Sequence, residues 1–292
     1  MHTNVSTADI HTRAILVWLT ITTWAARKHD KRATDKVHAE YGANSKAGRY
    51  NKQLLADAPE YKALISLSNS IRAWHYGNTL AWSDEGWRIL PIANYDTFTK
   101  GLREQMKTWD GAKGVFIPRY PTLVQDMRSV LNGLYNPADY PAASDIGDRF
   151  TITVQYAPVP AAGDIRVSLA ADQLATIESS ITDRVTVATQ TAMSDAWQRL
   201  YECVSNIQSR LQDPKAIFRD SLIDNAREVC DALTRLNITN DPDLEAMRAR
   251  VAAELTTYAP DTLREVPRVR QETADKAADI ISAMSGLYGV AQ

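Results

Sequence analysis

From residue 169 to residue 211 the chain runs for about 43 positions without a glycine or a proline, which reads as one uninterrupted helix ~65 Å long. Its apolar positions are Leu174, Ile177, Ile181, Val185, Ala188, Ala192, Ala196, Leu200, Cys203 or Val204, Ile207 and Leu211. They recur at intervals of three and four, closer to an 11-residue than to a 7-residue repeat, which predicts a nearly straight or slightly right-handed seam. A mean helix in a globular protein has only ~11–12 residues. A rod of this length acts as a spine for other elements or as an assembly surface, in the manner of a coiled coil. Small residues at Ala188, Ala192 and Ala196 narrow the middle of the seam and suit close helix approach, including by a second copy of the rod. Ile181, Val185, Ala188, Ala192 and Ala196 are therefore the candidate interaction surface, and a homo-oligomer is expected.

The 292 residues suffice for a sizeable core in one large or two smaller domains. With 45% hydrophobic and 23% charged residues the composition is that of an ordinary soluble globular protein. A net charge of −2 provides no global attraction to nucleic acid or to an anionic membrane, so either role would need a local patch. Cys203 and Cys230 fall on helical faces and read as reduced, small core residues of a cytosolic protein. The apolar run over residues 14–26 is shorter than the ~20 residues a spanning helix needs. Its threonines and the preceding Asp9 and Arg13 favour a buried core helix over a signal or anchor.

Taken in order, Ser6 or Thr7 with Asp9 starts a helix carrying Ile10, Ala14, Val17, Ile21 and Trp24 at helical spacing. The helix surface then turns basic, and residues 41–52 (YGANSKAGRYNK) form a basic loop or helix break. Over residues 1–56 nine Lys and Arg stand against four Asp and Glu. Pro59 reopens helix with Ala63, Leu64, Leu67, Ile71 and Trp74, leading into an irregular aromatic block with Trp74, Tyr76, Trp82 and Trp87. Two helices follow, over residues 95–109 and 122–134, separated by Gly111, Gly114 and Pro118. The breaks at Asn136-Pro137, Tyr140-Pro141 and Gly147 place a boundary between an N-terminal helical region, 1–147, and a second region, 148–292.

Across that boundary the period changes to two. Phe150, Ile152, Val154 and Tyr156 alternate with polar residues, and the pattern returns at Ile165, Val167 and Leu169, which predicts a β-hairpin leading into the rod. Asp213-Pro214 and Asp241-Pro242 each place an N-cap before a proline at the first helical position, and Pro260 and Pro267 break the tail before a last helix to about residue 284. The fold class is mostly α: a helical bundle built around one long helix, with one small β-hairpin.

No chemistry is named as clearly. The five histidines and two cysteines show no metal-ligand spacing, the glycines near lysines lack a phosphate-binding pattern, and no nucleophile elbow exists. The reading is non-enzymatic, with no catalytic, cofactor or metal residues. The basic stretch is the best candidate: Arg27, Lys28, Lys31, Arg32 and Lys36 on a helix, with Lys46, Arg49 and Lys52 in the loop beside Tyr41 and Tyr50. Cations interleaved with stacking rings are what single-strand binders combine; the plainer account is a solvated face partly neutralised by Asp30, Asp35 and Glu40.

Four stretches carry a resemblance: TLAWSDEGWRILP at 79–91, YNPADYP at 135–141, APVPAAGDIRVSL at 157–169, and the segment from DPKAIF to NDPDL at 213–244. Together they resemble a family of uncharacterised bacteriophage and prophage proteins, similar in places to an unknown-function family found beside MoxR-type AAA+ ATPases and von Willebrand factor A proteins. The resemblance implies a phage-encoded accessory protein of the host cytoplasm, working with an ATPase or in phage DNA metabolism, and brings no catalytic residues. The leading expectation is an adaptor or assembly factor that binds a protein partner, without membrane attachment. The alternative is a single-stranded nucleic-acid-binding protein using the basic segment.

Overall fold

A computed structural model describes residues 10–82, 86–165 and 170–288. In chain order the elements are α1 (Ile10–Arg13), β1 (Ala14–Thr22), β2 (Arg27–His29), α2 (Lys31–Tyr41), β3 (Asn51–Gln53), α3 (Pro59–Gly77), β4 (Leu80–Ala81) and β5 (Arg88–Pro91), then α4 (Tyr95–Leu131) and β6 (Thr151–Pro158). The remainder is α5 (Ala171–Gln212), α6 (Ser221–Leu236), α7 (Pro242–Leu255), α8 (Pro260–Glu265) and α9 (Pro267–Tyr288). The protein is mostly helical with a small antiparallel sheet, and the long helix is present as the 42 residues of α5. No described helix is long and apolar enough to cross a membrane.

Strands are where sequence and structure part. The run at 14–22, expected as a core helix, is strand β1. Ile15, Val17, Thr20, Ile21 and Thr22 are β-branched, and such side chains lose χ1 freedom in a helix but fit a pleated surface. A short continuous apolar run suits a buried strand as well as a buried helix, and here pairing with β5 and β6 decides. β1 lies inside a four-stranded sheet of order β4-β5-β1-β6, with Ala14 opposite Pro91 and Val17 opposite Arg88. Among the described residues β6 is thus an edge strand, paired with the sequence-distant β1. Of the expected return strand, Ile165 is not in a strand, and Val167 and Leu169 lie outside the described residues.

The chain forms two compact units, and neither is contiguous. One comprises residues 1–18, 75–98 and 155–292; the other comprises 19–74 and 99–154. This replaces the expected division at 147/148, because the chain passes between units within β1, α3, α4 and β6.

In the first unit, α5 is covered by α6, α7 and α9 and touches β4. Val185, Ala188, Ala192 and Ala196 are all buried there, in one cluster with Trp197, Leu200, Val204, Ile207 and Leu211, and Ile181 packs against it half-buried. The small residues of the seam do admit close neighbours, but the neighbours belong to the same chain. This corrects the reading of those positions as a surface for a second copy. The tail of α5 ends in a turn at Asp213-Pro214, not in the expected new helix. The Asp213 carboxylate accepts from the Lys215 amide at 2.9 Å, and the Arg270 guanidinium gathers the carbonyls of Arg210, Leu211, Asp213 and Ala216. A cation at a helix C-terminus satisfies its orphan acceptors. At Asp241-Pro242 the same dipeptide does start a helix, the Asp241 carboxylate accepting from the Asp243 and Leu244 amides.

The second unit is built on α4, which runs unbroken for 37 residues through Gly111, Gly114, Pro118 and Pro121, where two shorter helices were expected. Its stripe of Trp109, Phe116, Tyr120, Leu123 and Met127 is buried against Leu54, Leu64, Ile71, Ile146 and Phe150. Burying a large side chain contributes ~1.5–3 kcal/mol, so five of them offset interior prolines at ~3 kcal/mol each. Trp24 lies edge-on to Tyr61, Tyr120 and Tyr140, with ring centroids 6.0–6.5 Å away. The three tyrosine hydroxyls donate to the carbonyls of Trp24, Pro141 and Leu54, respectively. Burial holds all three phenols above their ordinary pKa, Tyr120 at about 12.

Candidate nucleic-acid interface

The basic stretch folds as a small module within the second unit. Antiparallel β2 and β3 are joined by α2 and the loop at 42–50, with Arg27 opposite Gln53, Lys28 opposite Lys52 and His29 opposite Asn51. At its base the Leu54 amide donates to the Ala26 carbonyl at 2.7 Å, and Ala26 takes φ 46°. Asp30 caps α2 by accepting from the Ala33 amide at 2.9 Å. The helix ends at Gly42, whose φ of 62° is the left-handed conformation that glycine adopts without a Cβ penalty.

Arg27 and Lys28 therefore sit on a strand and not, as expected, on the helix with Lys31, Arg32 and Lys36; Lys46 and Arg49 are in the loop. All seven are exposed, and none forms an ion pair with a described residue. Tyr41 at the end of α2 is 77% exposed and Tyr50 before β3 is 40% exposed, so both rings offer faces to solvent. Strand, helix and loop thus carry these seven cations and two rings within one continuous stretch, residues 27–50.

Lys52 is not among them. That side chain is 5% exposed, its ammonium 3.1 Å from Asp30 Oδ2 and 2.8 Å from Asp139 Oδ2, and it donates to the Leu134 carbonyl at 2.7 Å. Asp139 stands close enough to pair in charge but off the line of a hydrogen bond. Burial pushes the Lys52 pKa down, yet Asp139 and Asp30 outweigh it and hold the ammonium above its ordinary value. The Ala33 amide and the Lys52 ammonium in turn hold the Asp30 carboxyl below its ordinary value. Lys52 is spent inside the protein and is removed from the ligand-facing set.

Asp139 and Tyr140, which fasten the module from the segment after α4, were not among the sequence candidates. Tyr140 donates to the Leu54 carbonyl at the base of the module. The signal available was an acid between prolines in YNPADYP, a polar residue in a stretch otherwise built for packing.

Burial raises the thiols of Cys203 and Cys230 to about 12 and 11, so neither carries a thiolate at neutral pH. Comparison with protein-family models, with curated proteins and with solved structures finds no match to this chain.

Proposed function

We propose that the protein binds single-stranded nucleic acid through the module spanning β2, α2 and β3, as a phage-encoded accessory protein of DNA metabolism. The observation that carries this reading is the module's surface: seven exposed cations that form no ion pair among the described residues, against two exposed acids, Asp35 and Glu40, and the Lys52-bound Asp30, with two exposed tyrosine rings among them. Phosphates are met by Arg27, Lys28, Lys31, Arg32, Lys36, Lys46 and Arg49, and unstacked bases by Tyr41 and Tyr50. Base stacking needs faces that a duplex hides, which favours a single strand. The resemblance to phage proteins supports the setting.

A protein-partner role, such as an adaptor for an AAA+ ATPase, has a narrower footing. The seam from Val185 onward is inside the core, and the exposed apolar side chains that α5 leaves are separate ones: Ile177, on a first stretch, 171–184, that has no fully buried residue, and Val187.

Fluorescence anisotropy of a labelled oligothymidylate over a salt series tests the nucleic-acid reading. Wild type should bind at low salt and weaken linearly in log–log form. Lys46→Ala with Arg49→Ala should flatten that slope by about 1.4, at ~0.7 per single-strand phosphate contact. No binding at low salt overturns the reading.

A further inference from the structure

Residues 27–53, all of them described, contain only two buried side chains, Thr34 and Lys52, and both are polar. The module that carries the exposed cations has no apolar core of its own. What holds it is a polar network. The Asp30 amide donates to the Tyr50 carbonyl at 3.0 Å, and the Tyr50 amide donates to Thr34 Oγ1 at 3.0 Å. Thr34 Oγ1 donates in turn to the Asp30 carbonyl at 2.8 Å. Asp30, Thr34 and Tyr50 thus tie the start of α2 to the end of the loop, and Lys52 ties that knot to the segment at 134–139 through Asp30, Asp139 and the Leu134 carbonyl. Across the ladder Lys52 faces Lys28, a like-charge pair that favours opening unless the two carboxylates offset it.

We propose that Lys52 is a positioning residue for polyanion binding: buried between Asp30 and Asp139, it fixes the β2-α2-β3 module so that its exposed cations and tyrosine rings meet one strand together. This rests on the nucleic-acid reading above. Lys52 touches no phosphate, since its ammonium is buried between Asp30 and Asp139. Its loss acts by slackening Asp30, which ties the start of α2 to the end of the loop, so that the cations of strand, helix and loop no longer hold one relative geometry and their effective concentration around a bound strand falls.

The partner carboxylate supplies the test, because electrostatics and positioning predict opposite signs for Asp139→Asn. Removing a negative charge by itself strengthens attraction to a polyanion, whereas loosening Lys52 weakens binding. Lys52→Met is the stronger lesion, and Asp139→Asn keeps the question answerable should Lys52→Met fail to fold. Two measurements on the full chain are needed: hydrogen exchange of the α2 amides without ligand, and oligothymidylate anisotropy over a salt series. The proposal expects faster α2 exchange in both variants and an affinity loss of tenfold or more at fixed salt, with Asp139→Asn weaker than wild type. Unchanged α2 exchange overturns the fastening role whatever the binding shows. Faster exchange with Asp139→Asn binding as tightly as wild type, or tighter, overturns the positioning role. Absence of wild-type binding at low salt overturns the polyanion reading itself, and the exchange result then still reports on the fastening alone.

Discussion

His75 shows what one buried residue can cost. The residue is 3% exposed, its ring edge-on to Phe98 at 5.8 Å, and neither ring nitrogen has a hydrogen-bond partner among the described residues. Desolvation, with the Arg88 charge as a second cause, pulls its pKa down to about 4. The unfolded chain binds a proton there near pH 6.5 and the folded chain near pH 4, so stability is full above pH 6.5 and falls as pH drops between those values. The linked loss is about 3 kcal/mol. His75→Phe removes both the unpaired nitrogens and the titration, so it should melt at or above the wild-type temperature at pH 7. Between pH 6.5 and 4.5 its melting temperature should fall less steeply than that of wild type, as followed by circular dichroism. A parallel fall in both proteins would place the linkage elsewhere. Asp30 titrates in a separate window: its depressed pKa contributes stability above about pH 3.8 that is lost only on further acidification.

At the scale of elements, α4 separates intrinsic preference from packing within one helix. Gly111 and Gly114 are exposed or nearly so, and a Cβ added at either meets nothing within 4 Å. Alanine at each should stabilise by ~0.8–1.0 kcal/mol through helix propensity alone. Gly101 lies in the same helix, but a Cβ there would stand 2.6 Å from Trp74 Cζ2, so Gly101→Ala should destabilise despite the same change in propensity. Chemical denaturation of the three variants checks the opposed signs; a stabilising Gly101→Ala would mean that Trp74 yields freely. These glycines and Pro118 made the sequence look like two helices. The heptad-like spacing of Trp109, Phe116, Tyr120, Leu123 and Met127 ran through the breakers and was the better guide, because burial of those rings is worth more than the local penalties.

At the scale of the whole molecule, each core draws on distant parts of the chain. The cluster around α5 includes Ile10, Leu16, Leu80, Trp82 and Ile89, and the cluster around α4 includes Phe150. Cutting at 147/148 therefore removes strand residues from the α5 core and Phe150 from the α4 core. Expressed separately, fragments 1–147 and 148–292 should each lack the cooperative unfolding transition of the full chain, with dye-accessible apolar surface in both. Two independently folding fragments would restore a contiguous division.

The sequence by itself determined what depends on local pattern. An unbroken apolar period without glycine or proline specifies α5 whatever surrounds it, the Asp241-Pro242 cap starts α7, and the clustering of Arg27 to Arg49 needs no tertiary information to be seen. Tertiary structure alone decided what depends on partners far along the chain. Residues 14–22 are a strand because β5 and β6 flank them, and their periodicity alone fitted a helix. The seam of α5 is interior because α6, α7 and α9 return to cover it, whereas its small residues suited a second copy equally well. Lys52 reads in sequence as one more cation of a basic loop; only the return of Asp139, 87 positions later, buries it between two carboxylates. Side-chain pattern encodes which face of an element is apolar, but which element covers that face, and which charge finds a partner, is set by chain closure over distances no local window contains.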